Sequence, residues 1–200
     1  GVRVGDFTGD GKADLLALEA DTWEGRYFLR PSTGTAFGPE AAWGTAQATN
    51  PSTWIQEYCA ASGAYLGPTG DYNGDGKVDI ACIYQQGGES EFLVSFSTGS
   101  GFISLHSSAC GANPTLKTLD FNGDGMDDLF CSSVNPDRGT VYSLQGGGSL
   151  ILELILPRDT SFCTAGSYWT GDVNGDGRSE MGCKYGNVLM GGAGNDTYVI

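Results

Sequence analysis

The chain has 200 residues with 24 acidic and 10 basic side chains, a formal charge of −14 and a pI near 4.1. So few Lys and Arg exclude nucleic acid as a partner, because phosphate binding needs clustered cations. The most apolar stretch, Leu150 to Leu156, is broken by Glu153 and far shorter than the roughly 20 apolar residues of a membrane span, so no membrane insertion is expected.

Gly1-Val-Arg-Val-Gly-Asp6 leads straight into the first of four acidic loops, without the charged, apolar and small-residue segments of a signal peptide. A mature form or an excised part is therefore expected. The first loop is Asp6-Phe-Thr8-Gly-Asp10-Gly-Lys12-Ala-Asp14 and the second is Asp71-Tyr-Asn73-Gly-Asp75-Gly-Lys77-Val-Asp79. The third is Asp120-Phe-Asn122-Gly-Asp124-Gly-Met126-Asp-Asp128 and the fourth Asp172-Val-Asn174-Gly-Asp176-Gly-Arg178-Ser-Glu180. Oxygen-bearing side chains stand at positions 1, 3, 5 and 9 with Gly at 6, the pattern of a curled loop that offers oxygens to a hard cation such as Ca²⁺. Lys12, Lys77, Met126 and Arg178 at position 7 share no side-chain chemistry, as expected if only that backbone carbonyl faces a metal.

Asx-rich turns that need no ion are the alternative. Three carboxylates within nine residues would, however, repel one another without a cation. Up to four Ca²⁺ ions are expected, and their +8 would bring the charge from −14 to about −6. Thr8 replaces the Asn of the other loops and Glu180 replaces Asp, so the first and fourth sites should be weaker or differently shaped, with the second and third filled first.

Short apolar runs follow three of the loops: Leu15 to Leu18, Ile80 to Tyr84 and Leu129 to Cys131. They read as buried strands, so each loop joins two strands rather than opening a helix. The loops start 65, 49 and 52 residues apart, a period of propeller blades or solenoid turns. Each unit parses into four strands. The first enters the loop (Val2 to Phe7, Tyr65 to Tyr72, Leu116 to Phe121, Tyr168 to Val173) and the second leaves it. The third and fourth form a hairpin over a Gly-rich turn (Tyr27 to Phe37, Phe92 to Phe102, Val141 to Leu150, Val188 to Tyr198).

This predicts an all-β fold, a single β-propeller domain over 1–200 of four four-stranded antiparallel blades near 1–45, 46–105, 106–157 and 158–200. Whether the four close a ring or belong to a larger propeller stays open. Gly191 to Asp196 also fits the nonapeptide of calcium-binding β-rolls, but one copy cannot build a roll.

Through its D-x-[DN]-x-D-G-x-x-D loops, each followed by a short strand, the chain resembles the FG-GAP, or VCBS, repeats of integrin-like β-propellers. The Ser-Thr-Gly-Thr-Ala-Phe37 and Ser-Thr-Gly-Ser-Gly-Phe102 turns look most like bacterial versions in secreted and toxin-associated proteins. The resemblance implies calcium as a structural ion and binding as the role.

Cys82, Cys131 and Cys183 each follow the last loop acid by three residues, and Cys59, Cys110 and Cys163 precede the first by 12, 10 and 9. The first blade lacks both, with Ala17 at the strand position. Absence in pairs argues for bonding in pairs, and of the 15 connectivities open to six cysteines this register selects Cys59 with Cys82, Cys110 with Cys131 and Cys163 with Cys183. Each bridge would contribute about 3 kcal/mol in the chain-entropy model. Disulfides place the chain in an oxidising, extracellular setting.

His106, the sole histidine, falls in a predicted fourth strand with no nucleophile signature around it, so the chain is not expected to be an enzyme. In a four-stranded meander the acidic loops and Gly turns share one face. The opposite face would carry Trp23, Trp54 and Tyr58, aromatics suited to a protein or glycan ligand. The expected role is an extracellular binding or scaffold module. A carbohydrate-binding lectin and an accessory domain of a larger secreted enzyme are the alternatives.

Overall fold

The computed structural model describes residues 1–19, 26–45, 65–86, 89–108, 110, 114–134, 137–145, 149–156, 168–183 and 189–190. They are all-β, in antiparallel meanders that fall into two compact units, 1–109 and 110–200.

In the first unit one sheet runs in chain order through β1 (Val2–Gly5), β2 (Asp14–Glu19), β3 (Arg26–Arg30) and β4 (Ala41–Thr45). A second runs through β5 (Tyr65–Gly70), β6 (Asp79–Gln86), β7 (Glu89–Ser97) and β8 (Phe102–Ser108), which includes His106. The inner strands of the second sheet are apolar without alternation because both their faces are covered: Ile80 to Ile83 and Phe92 to Val94 are fully buried. Side chains from both sheets build the core, among them Leu16, Tyr27 and Leu29 with Leu66, Ile80, Cys82 and Leu93. Phe102 closes it with edge-on contacts to Phe7 and Tyr27. Pro68 sits in edge strand β5, where the register to β6 shifts, a place that asks no ladder hydrogen bond of it.

The second unit repeats the plan with β9 (Thr115–Leu119), β10 (Asp128–Val134), β11 (Asp137–Gln145) and β12 (Ser149–Leu156), followed by β13 (Tyr168–Gly171), β14 (Glu180–Cys183) and β15 (Leu189–Met190). The fourth strand expected in its last sheet lies outside the described residues, as does the Gly191 to Asp196 motif.

Two details depart from the sequence reading. The first strands end two residues early, at Gly5, Gly70, Leu119 and Gly171, because the backbone already turns at loop position 1. In the first sheet β3 pairs with β4 as expected, but near the turn the hairpin keeps only an isolated Ser32–Phe37 bridge, and the fourth strand starts at Ala41.

Candidate metal centre

The four acidic loops are spanned identically. In each, the residue before position 1 pairs with the acid at position 9: Gly5 with Asp14, Gly70 with Asp79, Leu119 with Asp128 and Gly171 with Glu180. Between these paired residues the position-1 carboxylate gathers the loop's own N–H groups. Asp6 accepts from Gly9 (2.7 Å), Asp10 (3.1 Å) and Gly11 (2.7 Å). Asp71 accepts from Gly74, Asp75 and Gly76, and Asp172 from Gly175, Asp176 and Gly177. Asp120 accepts from Gly123 and Gly125. At position 7 the N–H of Lys12, Lys77, Met126 and Arg178 donates in every case to the position-5 carboxylate of Asp10, Asp75, Asp124 or Asp176, at 2.9 to 3.0 Å.

Position 3 divides the loops. The side-chain carbonyls of Asn73, Asn122 and Asn174 accept from the position-5 N–H at 3.0, 2.9 and 2.8 Å. The Thr8 hydroxyl instead donates to Asp6 Oδ1 at 3.4 Å, so the first loop lacks that brace.

Two glycines per loop hold positive φ for different reasons. At position 6, Gly11 and Gly125 have φ of 82° and 81° with open space around them, so only the curl requires glycine. At position 4 of the first and third loops crowding adds to the curl, whereas Gly175 of the fourth has open space around it. A Cβ on Gly9 would stand 3.0 Å from Lys77 Cγ, and one on Gly123 2.7 Å from Arg178 Cγ, each side chain reaching over from the next loop. Sequence reasoning singled out position 6 and passed over position 4, although Gly stands there in every loop.

The position-9 acids are buried. Asp14 accepts from the N–H of Phe7 (3.2 Å) and Thr8 (3.1 Å) and, through its other oxygen, from Ser32 (2.8 Å). Asp79 accepts from Tyr72 (3.0 Å) and Ser97 (2.7 Å) in the same way, and Asp128 from Phe121 (2.8 Å). Ser32 and Ser97 are thus working parts of the first two loops. Their signal was the Ser-Thr-Gly turn, noticed only as a family resemblance. Burial pushes the carboxyls of Asp79 and Asp128 up to about 7 against these N–H groups, with the neighbouring loop acids adding to the rise.

The fourth loop differs most. Glu180 Oε2 accepts from Val173 N–H at 2.6 Å, and Oε1 from the Asn174 amide at 3.2 Å. Its added methylene carries the carboxylate inward, and Asp172, Asp176 and Glu180 bring ligand oxygens within 4.8 Å of one another, the one such acidic trio among the described residues. The fourth loop, expected from sequence to be weaker or differently shaped, is the one whose three carboxylates converge. An all-oxygen donor set on a tightly curled backbone fits a hard divalent cation.

Cys110 and Cys131 form the expected disulfide. Cys82 is also disulfide-bonded. Cys59, the partner expected for it, lies outside the described residues, as do Cys163, expected to pair with Cys183, and Trp23, Trp54 and Tyr58 of the expected ligand face. No helix among the described residues is long and apolar enough to cross a membrane.

No curated protein matches the chain. Among solved structures it is similar to rhamnogalacturonan lyase YesW, with a TM-score of 0.58 and 16% identity over 95% of this chain and 40% of the lyase chain. It spans about two-fifths of that lyase's length. A lectin from Agrocybe aegerita, described as recognising non-reducing terminal N-acetylglucosamine, aligns at a TM-score of 0.38 and 16% identity over 90% of this chain and 60% of the lectin's. Residues 120–182, from the first acid of the third loop to the middle of β14, match the family model of the FG-GAP-like repeat. The matched span holds the third and fourth acidic loops.

Proposed function

We propose that the chain is an extracellular, calcium-stabilised β-propeller module that binds a protein or glycan partner and has no catalytic activity of its own. The observation that carries this reading is the fourfold repetition of one loop geometry, crowned by the converging carboxylates of Asp172, Asp176 and Glu180. Calcium would be held by the acids at positions 1, 5 and 9 with the oxygens at positions 3 and 7, and it would supply structural cross-linking. The antiparallel meanders support the propeller, and the Cys110–Cys131 bridge supports an oxidising compartment.

Thermal unfolding in millimolar calcium and in excess EDTA tests the reading. A site at 100 times its Kd adds about 2.7 kcal/mol to the folded state, so the melting temperature should fall markedly on chelation. Identical curves, with metal removal confirmed, would sink it. A glycan array addresses the partner class.

A second reading makes the chain an accessory domain of a larger secreted enzyme. It is supported by the fold likeness to a lyase whose chain extends well beyond the aligned part. The length of the full polypeptide, read from its gene or intact mass, decides between them.

A further inference from the structure

We propose that two single peptide planes, Lys77–Val78 and Arg178–Ser179, couple neighbouring metal loops, so that the first loop loads with the second and the third with the fourth. The inference rests on the calcium reading above.

In the first unit the N–H of Val78 donates to the carbonyl of Asp6 at 2.8 Å; in the second, the N–H of Ser179 donates to the carbonyl of Asp120 at 2.6 Å. Both bonds run from loop position 8 to position 1 of the preceding repeat, so the same register appears at two separate junctions. A trans peptide is planar, and its C=O points opposite to its N–H. The carbonyls of Lys77 and Arg178, the expected position-7 ligands, are therefore turned away from the preceding loop. One end of each rigid group holds the residue whose carboxylate gathers the preceding loop, and the other end serves its own loop. A cation drawing on the carbonyl oxygen polarises the amide and strengthens its N–H as a donor. Loading one loop thus firms the position-1 residue of its neighbour.

Side chains reinforce each junction. The stem of Lys77 lies over Gly9, and that of Arg178 over Gly123. The Ser97 hydroxyl donates to the Phe7 carbonyl at 2.5 Å. The Ser179 hydroxyl accepts from the Asp120 N–H at 3.1 Å, so this one residue grips Asp120 through both its N–H and its carbonyl. Ser179 is a positioning residue of the third loop although it belongs to the fourth.

Calcium titration calorimetry on the full chain tests the coupling, with folding checked by circular dichroism. Asp176→Asn should remove the fourth site and weaken the third about five-fold or more, and Asp124→Asn should weaken the fourth by the same factor, because coupling is reciprocal. Asp75→Asn should weaken the first site and leave the third and fourth alone. Ser179→Ala should keep the stoichiometry but weaken the third site, and Ser179→Thr, which restores a hydroxyl, should recover it. Unchanged affinity at the partner sites, or losses spread equally over all sites, would overturn the coupling and leave the calcium reading standing. Absence of calcium binding by the unaltered chain would overturn both.

Discussion

The rim and the floor of one acidic loop use the same side-chain chemistry under opposite conditions. At the rim of the second loop, Asp75 meets the Lys77 ammonium at 2.9 Å. Burial works to raise its pKa, but the ion pair and the Lys77 N–H outweigh it and hold the carboxyl below its ordinary value. In the first loop the Lys12 hydrogen bond lowers Asp10 in the same way. At the floor of the second loop, Asp79 is fully buried, bound only by backbone N–H groups, and raised to about 7. The rim acid is a replaceable charge with a local counterion. The floor acid is a folding element that ties the loop to Ser97 at the end of β7, so the three carboxylates of a loop are not equivalent.

The strongest test of this contrast is to delete each acid in the metal-free protein. Asp79→Ala removes the carboxylate that accepts from the buried N–H groups of Tyr72 and Ser97, bonds worth about 1–3 kcal/mol each when lost in the interior, so urea unfolding should show a loss of about 2–6 kcal/mol. Asp75→Ala should fall within the scatter of surface substitutions, and equal losses would erase the distinction.

A pH series sharpens it. The folded pKa of Asp79 and Asp128 lies above the unfolded value of 3.8, so their contribution is complete below that value and is lost as pH rises through about 7. In EDTA the melting temperature should fall between pH 5 and pH 8. With calcium, which requires the ionised carboxylates, that fall should disappear; the same slope with and without calcium would place these acids outside the metal site.

Next in size are the glycines above the floor. Forcing a side chain into the left-handed region costs about 1–2 kcal/mol. Gly125→Ala should lose that amount, and Gly123→Ala more, because Arg178 occupies the space. Equal losses in denaturant titrations would show that Arg178 simply moves aside. The smallest effect belongs to Lys77→Met, which strips the rim of its counterion. Metal-free stability should barely change while calcium affinity at the second loop rises, and a fall in affinity would make Lys77 a partner of the site rather than a competitor.

What could be read from the sequence was whatever nine consecutive residues determine. The loops and the strands flanking them follow from fixed local spacing, and the Cys110–Cys131 pair from comparing the repeats with one another. The strand ends were overshot because Phe7, Tyr72 and Phe121 are buried like strand residues while their backbone has already left the ladder. The division of labour within a loop stayed hidden because it is non-local. The floor of the second loop depends on Ser97, 18 residues beyond Asp79, and the crowding of Gly9 depends on Lys77, from the next repeat. The convergence of Asp172, Asp176 and Glu180 turns on where one extra methylene places a carboxylate, which residue type alone does not say.

The Cys110–Cys131 bond encloses the whole third loop, Asp120 to Asp128, together with β9. A pull along the chain that enters at residue 110 leaves at residue 131 through the sulfur atoms, and the covalent ring between them bears no extension. The third loop is thus mechanically shunted. It keeps its shape while flanking strands are stretched, and a peptide cut inside the ring does not part the chain. The first loop, with Ala17 where the second-strand cysteine stands in the other repeats, has no such bypass. Tension on the chain would reach the first acidic loop directly and pass around the third.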